Sequence, residues 1–186
     1  HFYSISTTKG VEMIRKAKKE GLQVTCSIAA HQPSFTHEDM LDYDSNKKVW
    51  PPFRSQTDRK SLINGLQDGT IDAVESQHTP VAIEGKELEF EFANFGISGI
   101  EIAFQTLYHA VGNEISIETL LDKFTVGAEF SANIPPIQME VGEPARLTLI
   151  STKGKTLVSN KQWESRGKNS PFFNQELRGA IIPLNF

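Results

Sequence analysis

Three histidines stand beside strand-like runs: His1 ahead of residues 2–6, His31 just beyond residues 22–29, and His78 just beyond residues 71–76. Imidazoles at strand ends are the raw material of zinc sites, because a neutral ring nitrogen is a good ligand for that ion. A working site needs ligand number and geometry to be right together. The simpler reading is that each ring is held by local hydrogen bonds. Arg54 could hold an anion or satisfy loop carbonyls. Glu101 opens a helical pattern, where a carboxylate suits the helix dipole without any catalytic duty. His37 and His109 have no motif around them and read as surface or half-buried residues. Cys26 is the only cysteine, so no internal disulfide is possible, which suits a reducing compartment. It lies in an alternating apolar run and reads as a small core residue.

The elements that must position these residues alternate between strand and helix. Residues 2–6 alternate apolar and polar, as a short strand does. Ser6, Thr7 and Thr8 offer capping hydroxyls, Val11, Ile14 and Ala17 follow at helical spacing, and Gly21 is a stop. Residues 22–29 read as a second, buried strand, which makes a βαβ unit of a parallel sheet. A long loop follows over 31–55, with Pro33, Pro51 and Pro52 and room for a short helix near 38–41. Loops of that length in compact domains are usually functional. Residues 58–67 are expected to be a helix, Asp68-Gly69-Thr70 its exit turn, and 71–76 a third strand. The loop over 77–94 contains an acidic stretch, 84–91, that reads as solvated. Helices are expected over 97–111 and over 116 to about 130.

At Asn133-Ile134-Pro135-Pro136 the composition changes, a linker signal. Beyond it, residues 145–151 and 156–158 are strand-like, separated by Lys153-Gly154-Lys155, and 179–184 form a last strand. Two regions result: an α/β body over 1–132 and a small β tail over 133–186. Three strands cannot close an eight-stranded barrel, so any barrel must be completed by chain outside these residues. The sequence starts with His1 inside a strand-like run, which suggests that a preceding part, with any targeting segment, is missing. The net charge of −4 argues against nucleic acid as a main partner. The basic run Arg15-Lys16-Ala17-Lys18-Lys19 sits in a helical pattern and reads as a solvated face. No stretch has the length of a membrane span, and no signal-peptide pattern is present.

Several segments in one collinear order resemble the dihydroorotase branch of the cyclic amidohydrolases. A His-x-x-His-x-Ser-Thr pattern of the sixth barrel strand appears as His1-Phe2-Tyr3-Ser4-Ile5-Ser6-Thr7. Ala29-Ala30-His31-Gln32 stands where the next strand carries Thr-Pro-His-His. A loop pattern Lys-x-Asn-Pro-Pro-Leu-Arg appears as Lys48-Val49-Trp50-Pro51-Pro52-Phe53-Arg54. Asp58-Arg59-Lys60-Ser61-Leu62 and Gly65-Leu66-Gln67-Asp68-Gly69-Thr70-Ile71-Asp72 match a further helix-to-strand signature. Asp-His-Ala-Pro-His becomes Gln77-His78-Thr79-Pro80-Val81, and Phe95-Gly96-Ile97-Ser98-Gly99-Ile100-Glu101 keeps its pattern. Lys168-Asn169-Ser170-Pro171-Phe172 and Leu177-Arg178-Gly179 look like the closing β-segment. The resemblance implies the last strands and helices of a (β/α)8 TIM barrel plus the C-terminal part of a small β-domain.

It also implies what the site should hold. The family uses zinc to polarise a ring amide and deliver hydroxide. Ser4 stands at a histidine ligand position and Gln77 at that of the catalytic aspartate, so no catalytic residue and no metal or cofactor are expected in this chain. Of the substrate-loop positions, Trp50 replaces an asparagine and Val81 a histidine, while Arg54 and His78 remain. The implied function is a dihydroorotase-like protein of pyrimidine biosynthesis, catalytically inactive and structural, as a scaffold or partner of aspartate carbamoyltransferase. Its alternatives are an active zinc-dependent dihydroorotase and a small-molecule binding module. Expected partners are the preceding part of the same polypeptide, a further copy, or an aspartate carbamoyltransferase chain. The expected location is cytoplasmic, with no membrane and no nucleic acid involved.

Overall fold

The computed structural model describes residues 1–137, 140–142, 144 and 146–182. Thr7 caps helix α1, Thr8–Lys19, by accepting a hydrogen bond from the Gly10 N–H at 3.1 Å. Lys16, Lys18 and Lys19 fill its last turn, where cations suit the carbonyl pole. Lys18 and Arg15 pair with Asp72 and Asp68, each at 2.7 Å, and so tie α1 to the chain before the next strand pair. Strand β1, Ser27–Ala29, pairs in parallel with β2, Ala73–Glu75, in the register Ser27↔Ala73, Ile28↔Val74, Ala29↔Glu75. On the other side of β1, Phe2 makes an isolated parallel bridge to Cys26. Between the two strands runs helix α2, Gln56–Gln67. Ser55 and Asp58 cap each other's backbone at its start, and the helix buries Leu62, Ile63 and Leu66.

These strands are shorter than the apolar runs suggested. The run over 2–6 stops being a strand because Ser4 takes a left-handed backbone, φ 55°. The run over 71–76 ends in the same way at Gln77, φ 45°. At the start of β1 the Cys26 N–H is taken by the Asp72 carboxylate at 2.8 Å, so a side chain replaces a ladder bond.

Helix α3, Ala103–Val111, follows a single tight turn at Ile100–Ile102; Ile97, expected in that helix, instead bridges to His78. The helix expected over 116 to about 130 is two: α4, Ile117–Phe124, and α5, Val126–Ala132. Thr125 breaks it, with ψ −97° and its hydroxyl bonded back to the Leu121 carbonyl at 2.8 Å. In the tail, β3, Leu149–Leu157, is one strand rather than two. The expected turn at Lys153-Gly154-Lys155 is a bulge, because the Ser151 hydroxyl supplies the Gly154 N–H with a partner at 3.0 Å and pairing resumes beyond it. Its antiparallel partner is β4, Glu176–Ile182. Ala145, at the start of the expected first tail strand, and Pro183 and Leu184, at the end of the last, lie outside the described residues.

The core follows from strand alternation. Cys26, Ile28 and Val74 face the helices and pack with Val11, Leu62, Leu66, Leu107, Val111 and Leu120. Ser27, Ala29, Ala73 and Glu75 fall on the opposite face. A second cluster joins Val49, Phe53, Ile97 and Ile102 of the body to Val158, Trp163, Phe172 and Leu177 of the tail. Among the described residues no helix is long and apolar enough to cross a membrane. Leu107 is fully buried at the centre of the first cluster, so Leu107→Ala should cost about 2–5 kcal/mol in chemical denaturation. Gly127 sits against the Asp72 carbonyl with no room for a Cβ. Gly127→Ala should therefore cost about 1–3 kcal/mol in the same measurement, although alanine is the better helix former.

Candidate functional site

The polar face of the strand pair carries a connected set of side chains. Gln77 Nε2 donates to the Trp50 carbonyl at 2.7 Å and to Ser4 Oγ at 2.8 Å. Ser4 Oγ donates to one oxygen of Glu75, and Ser27 Oγ donates to the other at 2.8 Å. His1 Nε2 lies 3.0 Å from Ser27 Oγ, and its Nδ1 lies 2.8 Å from Thr25 Oγ1. The directions are fixed from one end. A carbonyl only accepts, so the Gln77 amide must present its NH2 group to Trp50 and hence to Ser4. Ser4 accepts from that group and passes its own hydrogen to Glu75. Both hydroxyl protons thus converge on the two oxygens of one carboxyl group. Burial raises the Glu75 pKa, while the hydroxyls of Ser4 and Ser27 and a backbone hydrogen bond from Ser4 oppose that rise.

Ser4 and Gln77, expected at the former ligand and base positions, are therefore brought together. The reading of the sequence missed Glu75 and Ser27. The signal was parity: Glu75 lies two residues before Gln77 and interrupts an otherwise apolar buried run, so it must share the polar face.

The other expected positions scatter. Trp50, 69% exposed, stands edge-on to Phe95 with ring centroids 5.6 Å apart. The two rings, with Val49, Gln77, Thr79 and Ile97, line a cleft of about 90 Å³. Val81 contributes only its backbone, donating to Asn169 Oδ1 at 2.9 Å. Arg54 reaches the Ser6 hydroxyl at 3.4 Å, and the carbonyl-satisfying role falls instead to Arg59, which donates to Pro33 O at 2.6 Å. His78 accepts from the Gly99 N–H through Nδ1 at 3.3 Å, which places its proton on Nε2, facing Ser165 Oγ at 3.3 Å. In that tautomer the ring is a donor to Ser165 and not a base for it.

His1 and His78 are held by local hydrogen bonds, as their setting suggested. His31 is not: its Nε2 is buried without a partner, and its ring stands edge-on to Phe53. His109 is more than a surface residue, since its Nδ1 accepts from the Arg178 N–H of β4 at 3.1 Å. Glu101 also has a definite duty. Its two oxygens accept the N–H groups of Glu164 and Ser165, each at 2.9 Å, and so fasten the tail. The stretch over 84–91 is not simply solvated, because Lys86 within it is 5% exposed and donates to the Ser45 and Lys48 carbonyls. Among the described residues no three His, Cys, Asp or Glu side chains cluster as a metal site would need.

A parallel strand pair backed by helices, with a polar cluster on the face away from them, is the layout of an amidohydrolase-type barrel wall. Comparisons with known proteins agree with it, although no family model matches the chain. The dihydroorotase of Syntrophus aciditrophicus is 37% identical over 183 residues, covering 98% of this chain and 43% of that protein. The dihydroorotase of Bacillus subtilis is 38% identical over 174 residues, 92% of this chain and 41% of its own length. Among solved structures, the L-hydantoinase (dihydropyrimidinase) of Arthrobacter aurescens superposes with a TM-score of 0.86 at 28% identity, over 96% of this chain and 41% of that one. The Saccharomyces cerevisiae dihydroorotase, at a TM-score of 0.77 and 13% identity, shares the fold. The chain belongs to the dihydroorotase family of cyclic amidohydrolases and spans less than half the length of the relatives it matches.

Burial pushes the pKa of His31 down to about 4 from 6.5. The folded chain thus holds the ring neutral, whereas the unfolded chain protonates it near pH 6.5. The stability this group contributes is complete above pH 6.5 and is lost as the pH falls through about 4, at most about 3 kcal/mol. Urea denaturation at pH 7 and at pH 4.5 should show a smaller drop for His31→Leu than for the unsubstituted chain. An equal drop in both would show that His31 does not carry this dependence.

Proposed function

We propose that this chain is part of a dihydroorotase-like protein that does not hydrolyse cyclic amides and serves pyrimidine biosynthesis structurally, as a scaffold or partner of an aspartate carbamoyltransferase chain. One observation carries the inactive reading: Gln77 turns an NH2 group, not a base, toward Ser4. Zinc needs electron pairs, and a donor amide offers none in that direction. Ser4 is a neutral hydroxyl whose proton is committed to Glu75. The residues present therefore do not fit the family's metal, and no catalytic step is derived through one. Gln77 also cannot take up a proton at neutral pH, so the general-base contribution of about 10²–10⁴-fold is missing as well. At the substrate loop, the Trp50 indole offers a single N–H donor and no acceptor, and the Val81 isopropyl offers no polar group at all.

The structural role is supported by the surfaces left open. The strand pair is flanked on the β1 side only by residues 2–5, and Phe2, Tyr3 and Leu22 there are more than half exposed. In the tail, Leu147, Leu149, Leu157, Ile181 and Ile182 are exposed on and beside a two-stranded ribbon. Such surfaces suit the preceding part of the same polypeptide, and beyond it a second copy or a carbamoyltransferase chain. A cytoplasmic location belongs to the same reading.

Metal analysis and a dihydroorotate assay on the intact polypeptide test the inactive reading together. The expected result is less than stoichiometric zinc and no measurable turnover. Ser4→His with Gln77→Asp should recover zinc binding at most, because Trp50 still obstructs the loop. Stoichiometric zinc with steady turnover in the unsubstituted protein would overturn the reading. Copurification with aspartate carbamoyltransferase tests the scaffold role, and its absence at micromolar concentrations of both would count against that role alone.

A further inference from the structure

We propose that Glu75 is the positioning residue of this site: its carboxylate, gripped by the hydroxyls of Ser4 and Ser27, takes over from a metal ion the work of holding Ser4 and Gln77 in place. The inference rests on the metal-free reading proposed above and goes beyond it by naming what organises the site instead.

Three observations converge. First, Glu75 is the last residue of β2 and faces the same side as Ser27 across the β1–β2 ladder, so the strand pairing itself delivers the carboxylate to this point. Second, the hydroxyls of Ser4 and Ser27 both donate toward it. On one flank His1 lies against Ser27 and is itself held by Thr25, and on the other the Trp50 carbonyl orients Gln77. The Glu75 carboxyl is the group of this network that accepts from both flanks. Third, Ser4 and Gln77 both hold left-handed backbone conformations, which are unfavourable for residues with a Cβ. Such conformations persist where surrounding contacts over-determine them. Here those contacts are the links from Gln77 to Ser4 and from Ser4 to Glu75. A metal ion would fix two such residues by drawing their lone pairs to a positive centre. This site does the reverse: Gln77 gives its hydrogens to Ser4 and the Trp50 carbonyl, and Ser4 passes its own to Glu75.

The test uses the intact polypeptide labelled with ¹⁵N, reading the Gln77 side-chain amide resonance, its exchange with solvent, and the melting temperature. Glu75→Ala should shift the Gln77 resonance, speed its exchange about tenfold and lower Tm by about 3–8 °C. Ser27→Ala removes one of the two grips and should produce the same changes at smaller size. Glu84→Gln, on an exposed acid elsewhere, should leave all three readings unchanged. Addition of zinc chloride to the unsubstituted protein should not move the Gln77 resonance. A folded Glu75→Ala protein with an unmoved Gln77 resonance, while zinc is also without effect, overturns this inference and leaves the metal-free reading standing. If Glu75→Ala does not fold, Ser27→Ala decides, and an unmoved Gln77 resonance there overturns the inference in the same way. A zinc-induced shift of Gln77 in the unsubstituted protein overturns both.

Discussion

The parallel pairing of β1 with β2 sets the terms for everything else in the molecule. Only three residue pairs form the ladder, yet they fix which side chains face the helices and which face away. Ile28 and Val74 go into the helical core, and Ser27 and Glu75 go to the other side. A slip of one residue would bury the carboxylate among Val11, Leu66 and Leu107, at a cost of several kcal/mol for an unpaired buried charge. The register is therefore held by the penalty for the wrong one as much as by the bonds of the right one.

The helices are attached to this pair by mixed means. Apolar packing supplies most of the attraction, while Lys18, paired with Asp72, and Asp72, bonded to the Cys26 N–H, bind α1 to both strands through one carboxylate. The same environment keeps Cys26 inert. Burial first, and the Asp72 charge second, push its thiol up to about 11, so it stays protonated at neutral pH. At the other end of the chain, the described residues of the tail form no core separate from the body's. Trp163, Phe172 and Leu177 complete a cluster begun by Val49, Phe53 and Ile97, and Glu101 and His109 pin the tail backbone through its N–H groups. A change of composition at the Pro-Pro linker thus marks a boundary in sequence across which side chains still pack together.

The polar face and the loops around it are held by hydrogen bonds between residues far apart in the chain. Lys86 holds the Ser45–Lys48 turn, and Asn169 bridges the Val81 N–H, the Ser98 hydroxyl and the Thr79 carbonyl. At the centre, Gln77 donates to Ser4 and to the Trp50 carbonyl, and the Ser4 and Ser27 hydroxyls donate to the Glu75 carboxylate on the neighbouring strand.

The sequence by itself determined the α/β alternation, the helices capped by Thr7 and Ser55, the apolar faces, and the identity of Ser4 and Gln77 at two critical strand ends. These are local facts: hydrophobic period, capping hydroxyls and residue type are all written within a few positions of one another. The tertiary structure decided the rest. The left-handed turns at Ser4 and Gln77 shortened the strands, Thr125 split a helix that periodicity ran straight through, and a side-chain acceptor on Ser151 made a bulge where a turn was expected. Above all, Glu75 acquired its place only when residues 4, 27, 75 and 77 met. Their meeting depends on strand register and on loops that bring distant residues to hydrogen-bonding range, and neither is a property of any short stretch of chain.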